Sequence, residues 1–172
     1  MDAAATESAS RYVVFSVSGR LLALPAAAVR RFLPLPRLDT PPTAPPVVAG
    51  CFRYQGRIVP VLRLDLLLGL EPAAPGLYAP LLLIERDGRP LALLADRVSD
   101  VIPAVMQELP DTGLTFNGCA IGSVRFRAND ATVLAPERLL TETEGHLLAA
   151  FQAMADERLA KWQAAEGAEP AA

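Results

Sequence analysis

Between Tyr12 and Leu140 the chain reads as about ten short β-patterned runs closed by glycine or proline turns, a spacing that describes a barrel or a sandwich rather than a βαβ fold. Tyr12 to Val17 is β-branched and aromatic, and Arg20 to Leu24 reads as its hairpin partner across Ser18-Gly19. Pro25 ends that strand, Ala26 to Val29 suits a single turn, and Arg30 to Leu35 reads as the next strand. Residues 34–46 hold six prolines, which remove backbone donors and fix φ, so this segment is expected to be an ordered surface loop. Val47 to Gly50 is expected to make another helical turn. Cys51 to Tyr54 and Arg57 to Leu62 flank Gln55-Gly56, and Leu81 to Ile84 and Leu91 to Ala95 flank Asp87-Gly88. Glycine at the second turn position tolerates the positive φ that a tight hairpin needs. Val98 to Val105 continues in β style, residues 107–117 read as loop, and Cys119 to Phe126 and Thr132 to Leu134 are the last strands. Pro136 to Leu140 makes a turn.

The stretch GRIVPVLRLDLLLGL, Gly56 to Leu70, places a proline inside an apolar run. A central ladder cannot spare the N–H, so Pro60 is expected at an edge or a bulge. Asp65 to Leu68 then forms one helical turn, ended by Gly69 in the left-handed position. Beyond Thr141 the pattern turns helical, with Thr141 and Glu144 at capping-box spacing and a Glu157–Lys161 pair one turn apart. Gly145 weakens the first turn, which puts the expected start of stable helix near His146. Leu148, Phe151, Ala155, Leu159 and Trp162 recur on one face, which either packs back onto a barrel or is offered to a partner. No long internal repeat is visible.

A chain of 172 residues suits one domain or two small lobes sharing a core. A net charge of −3 supplies no basic footprint for phosphate backbones, so nucleic acid is not an expected ligand. The start, MDAAATESASRYV, lacks the basic and apolar regions of a signal peptide, and no apolar run approaches the roughly 20 residues needed to cross a bilayer. A cytoplasmic location without membrane insertion follows as the expectation. Cys51 and Cys119 have no metal-ligand spacing and read as small buried hydrophobes. His146 is the sole histidine, and no glycine-rich phosphate motif occurs. Asp65, Asp96 and Asp100 stand at the ends of apolar runs, where capping and turn roles suit them. Neither a catalytic constellation, a metal site nor a cofactor is expected. What remains is a rigid β scaffold suited to binding; a small-ligand-binding β-barrel is the alternative, and it requires a concave pocket with convergent polar groups.

The order of motifs resembles the CheW-like domain of bacterial chemotaxis coupling proteins over about residues 11–140. The resemblance is carried by Tyr12 to Gly19, Leu24-Pro25 with Val29, the proline loop, Val48-Ala-Gly50, GRIVPVLRL from Gly56 to Leu64, Leu68-Gly69-Leu70, and DRVSDVI from Asp96 to Ile102. It implies a mainly β fold of two SH3-like five-stranded β-barrel subdomains around a shared core, plus a C-terminal α-helix. The implied organisation is a flexible tail over 1–10, the CheW-like domain over 11–140, and a helix with a disordered end over 141–172. The implied function is a non-catalytic adaptor that couples a chemoreceptor's cytoplasmic hairpin tip to the regulatory domain of a CheA-type histidine kinase, recruited to membrane-associated receptor arrays. The receptor-facing groove carries over to Ala26 and Val29 on one wall and Val98 and Val101 on the other. Two positions depart from the family pattern. Gln55 stands where the family has an arginine before its Val-Pro strand, and Arg31 stands where an acidic residue is common. An amide cannot make the bidentate contact of a guanidinium. The resemblance assigns no kinase-binding residues here.

Overall fold

The computed structural model describes residues 9–109 and 118–167. Eleven strands occur among them: β1 (Ser10–Val17), β2 (Arg20–Pro25), β3 (Arg31–Pro34), β4 (Val48–Tyr54), β5 (Arg57–Arg63), β6 (Pro80–Arg86), β7 (Arg89–Leu94), β8 (Arg97–Ala104), β9 (Gln107–Glu108), β10 (Ala120–Phe126) and β11 (Asn129–Leu134). Helix α1 (Leu64–Leu67) is one turn, and α2 (Glu142–Gly167) is the long C-terminal helix. Three hairpin tips have positive φ at both central residues, Ser18-Gly19, Gln55-Gly56 and Asp87-Gly88. That is the turn whose twist matches the twist of the strands it joins.

The strands form two sheets, ordered β8-β1-β2-β11-β10-β9 and β3-β6-β7-β5-β4. The halves of the chain exchange strands between them. The first half gives the hairpin β1–β2 to one sheet and β3, β4 and β5 to the other; the second half gives β6–β7 to the second sheet and β8 to β11 to the first. In each sheet the two contributions meet in a short parallel pairing, β2 with β11 and β5 with β7. The expected five-strand count holds for the second sheet, and the first adds the two-residue β9.

Each sheet curls around a small apolar interior of its own. Tyr12, Val14, Ala23, Val124, Phe126 and Val133 fill one, and Phe52, Val59, Val61, Leu81, Leu83 and Ala92 fill the other. The alternate residues of the same strands, including Val13, Phe15, Leu22, Leu24, Leu62, Leu82, Leu91 and Leu93, point into one core shared by both sheets. Alternation by two thus buries both faces, which is why these strands are continuously apolar in sequence.

Equivalent crossings close the two barrels. After β3 the chain passes across β4, where Asp39 pairs with Cys51; after β8 it passes across β10 as β9. Each crossing lies against a bulged strand and a glycine. A Cβ at Gly50 would stand 2.7 Å from Leu38 Cβ and 2.9 Å from the Asp39 carbonyl oxygen, and one at Gly122 would stand 2.5 Å from Met106 Cγ and 2.6 Å from the Gln107 oxygen. The bulges, at Val48/Gly50 and Ala120/Gly122, match as well.

Three expectations need correction. Val47 to Gly50 is not a helical turn: a turn closes at Val48, whose N–H bonds the Pro45 oxygen at 3.0 Å, and β4 starts there because its bulge still pairs Val48 with Leu62. Pro60 is neither on an edge nor at a bulge, since β5 lies between β7 and β4 and the bulge of that pair falls at Val48/Gly50, opposite Leu62 and Val61. Its partner Cys51 exchanges both backbone hydrogen bonds with Asp39, at 2.7 and 2.9 Å, so the Cys51–Pro60 pair needs none and the proline nitrogen faces β7. The ladder with β7 begins only at Val61. Helix α2 starts at Glu142, not near His146, because the capping box forms in both directions: Thr141 N–H to Glu144 Oε2 at 2.8 Å and Glu144 N–H to Thr141 Oγ1 at 3.2 Å. Gly145 serves there as a close approach, since a Cβ would meet the Arg86 guanidinium at 2.5 Å.

Helix α2 fills the notch where β5 and β7 diverge. Asp156 Oδ1 accepts the Ile58 N–H at 3.1 Å, and Gln152 Nε2 donates to the Pro90 oxygen at 2.9 Å. Leu148, Phe151 and Leu159 are buried beneath it. Trp162, on the same face in sequence, stays 68% exposed. Of the expected loop 107–117, Gln107–Glu108 is strand β9 and residues 110–117 lie outside the described residues, as do residues 1–8 of the expected tail and 168–172 of the expected end.

Gly50→Ala and Gly122→Ala are expected to lower stability by roughly 1–3 kcal/mol each, the cost of overpacking against backbone. Urea denaturation followed by circular dichroism checks this, and values near zero would show that the crossings yield.

Candidate functional site

The structure sorts the residues singled out by sequence into two groups. Ala26, Val29, Val98 and Val101 are all half-buried and pack against the shared core. Ala26 opens the 3-10 turn Ala26–Ala28, and the Val29 N–H closes it on the Ala26 oxygen at 3.2 Å. Val98 and Val101 lie on β8, one of the two outer strands of the first sheet. Three residues apart, they would ordinarily face opposite ways. A bulge corrects this: β1 pairs Val13 with Val101 and Phe15 with Val98, skipping Ser99. Both valines therefore sit on the face that Val13 and Phe15 turn to the core.

Arg31 and Gln55 form the second group, centred on Tyr54. Arg31 Nη1 donates to the Tyr54 hydroxyl at 3.0 Å, and Gln55 Nε2 approaches the same oxygen at 3.5 Å. Tyr54 lies edge-on to Phe52, with ring centroids 6.4 Å apart. Because β3 and β4 are the outer strands of the second sheet, the Arg31–Tyr54 bond also spans its closing seam. Both sequence departures thus contact one hydroxyl, a link that spacing alone does not suggest.

Sequence reasoning missed several exposed apolar side chains. Phe32 projects outward beside Arg31 at 44% exposure, and Leu77 and Tyr78 stand at 85% and 91% in the turn closed by the Ala79 N–H on the Gly76 oxygen. The signal for Phe32 was its parity, one residue out of phase with the inward Leu33.

Among the described residues the perturbed titrating groups are few and suit structure. Burial pushes the Cys51 and Cys119 thiols up, the opposite of an activated nucleophile. Burial also opposes ionisation of Asp65, but the Arg63 guanidinium and the N–H groups of Leu66 and Ala73 outweigh it and hold the carboxyl below its ordinary value. Arg63 reaches Asp65 at 2.8 and 3.3 Å. The network fastens the loop after α1 over a cavity of about 390 Å³ whose wall includes Val17, Ser18 and Leu94. Two of the polar groups there, Arg63 and Asp65, are bonded to each other. Among the described residues no three His, Cys, Asp or Glu side chains are placed to hold a metal, and no helix is long and apolar enough to cross a membrane.

A family model, CheW-like domain, matches residues 11–144. The chain belongs to the CheW-like domain family. Its two sheets are the two SH3-like subdomains of that fold, and the match runs from β1 into the first turn of α2. The crystal structure of the scaffolding protein TtCheW from Thermoanaerobacter tengcongensis superposes with a TM-score of 0.70 at 20% identity, covering 76% of this chain and 92% of that one. A search of curated proteins finds no match.

Because the folded-state pKa of Asp65 is depressed, its contribution to stability is full above the ordinary carboxylate value of 3.8 and is lost as pH falls through the folded value. Asp65→Asn is expected to cost on the order of 1–2 kcal/mol at neutral pH, with the gap to the parent protein closing as pH falls from the ordinary carboxylate value of 3.8 through the depressed folded value. Urea titrations across pH test this, and a gap constant with pH would show that the charge contributes nothing.

Proposed function

We propose that this CheW-like protein is a non-catalytic adaptor that joins the cytoplasmic hairpin tip of a chemoreceptor to the regulatory domain of a CheA-type histidine kinase, at membrane-associated receptor arrays and without inserting into the bilayer. The observation that carries the reading is the family match from residue 11 to 144, which embraces both subdomains. TtCheW, a scaffolding protein of the same fold, agrees with it.

The partial burial of the first group of residues supports the receptor half of the proposal. Ala26, Val29, Val98 and Val101 are half-buried, so each holds its place by packing and still offers apolar surface. A helical hairpin presents apolar anchors at i, i+3 and i+4, which suits half-open apolar side chains of this kind. The polar cluster of Arg31, Tyr54 and Gln55 would then set receptor choice. Arg31 brings positive charge where the family commonly has negative, so it favours a receptor tip that carries a carboxylate opposite it.

Val29→Asp is expected to weaken capture of a receptor-tip fragment by at least about tenfold, or ~1.4 kcal/mol, while capture of the kinase regulatory domain persists. Thermal unfolding of the variant confirms that it folds. Capture of both partners at parental strength would misplace the groove, and failure of the parent protein to capture either partner would sink the adaptor reading.

A further inference from the structure

Beside the second half of helix α2 lies an open groove of about 410 Å³, with Phe52 and Ile58 of the β4–β5 hairpin on one side and the proline loop, through Pro41, on the other. Met154 and Trp162 line it and are 50% and 68% exposed. From Phe151 to Trp162 the helix rises about 16 Å, or roughly three turns. Two guanidiniums stand at the rim, Arg53 and Arg158. Both are exposed, and neither is hydrogen-bonded or ion-paired among the described residues. Asp39 is the carboxylate among the lining residues, and nearby Lys161 is occupied by Glu157 at 3.4 Å.

We infer that this groove is a third docking surface, built for an amphipathic helix of another protein, about three turns long, with large apolar side chains on one stripe and carboxylates along its flank. The apolar floor selects the stripe. The unpaired guanidiniums select the carboxylates, which they bind in bidentate fashion. Trp162 supplies the kind of large, stiff side chain on which binding energy concentrates. The surface shares no residue with the group at Ala26, Val29, Val98 and Val101; its place as a third surface rests on the adaptor reading, and the peptide titration tests it without that reading.

Trp162 is the chain's sole tryptophan, so its emission reports occupancy directly. The full-length protein is titrated with a synthetic three-turn helical peptide bearing Leu and Phe on one face and Glu on the flanks. A version with Lys for every Glu and a scramble that scatters the apolar residues are run beside it. A saturating blue shift is expected with the Glu peptide alone. Arg53→Glu with Arg158→Glu, both at exposed positions, should weaken that peptide at least about tenfold and make the Lys peptide the better ligand. No shift, an equal shift with the scramble, or indifference to the double reversal would each overturn the inference. The double variant is also presented to the kinase regulatory domain: retained capture supports a separate surface, and lost capture overturns it.

Discussion

The hairpins β1–β2 and β6–β7 bury both of their faces, and neither half of the chain has enough strands to cover them. Side chains such as Phe15, Leu22, Leu82 and Leu93 are fully enclosed only because strands from the other half complete each barrel. Enclosing a large apolar side chain stabilises by about 1.5–3 kcal/mol. Parting the subdomains would expose the whole shared layer at once. The two barrels therefore behave as one stiff body, the property an adaptor needs if two partners are to be held in fixed relation.

Val29, Val98 and Val101 draw on the same layer. They pack inward against the core while remaining half open, so a partner that docks there meets side chains already fixed in position. Less ordering is left for binding to impose. The bulge at Ser99 is what brings Val98 and Val101 to one face, and β8 tolerates it because one of its flanks is open.

Much of this was legible in sequence where a local rule governed. Ser18-Gly19, Gln55-Gly56 and Asp87-Gly88 mark tight hairpins because glycine accepts positive φ, and the Thr141–Glu144 spacing marks the helix start. The fourth hairpin carried no such mark: Arg127 takes a φ of 55° without a glycine after it. Pro60 misled because its acceptability depends on Asp39 occupying Cys51, a contact between residues distant in sequence. Gly145 misled likewise, since its use lies in the approach of Arg86. Composition and periodicity offered nothing toward this group, where period two places Val98 and Val101 apart; only the family resemblance set them together. The duplicated plan of the two sheets was also invisible, because what recurs is a backbone path with glycines at its crossings and not a string of side chains.

The exchange of strands carries a consequence for biosynthesis. As the chain leaves the ribosome, the first hairpin emerges long before β8 and β11, the neighbours that flank it. The second sheet is complete once β7 has been made, but the first cannot close until residues beyond 130 follow, so the β1–β2 hairpin waits with sticky edges uncovered. Such non-local pairing makes for slow folding. The first hairpin thus stays open through most of synthesis, and the last strands to appear cover it.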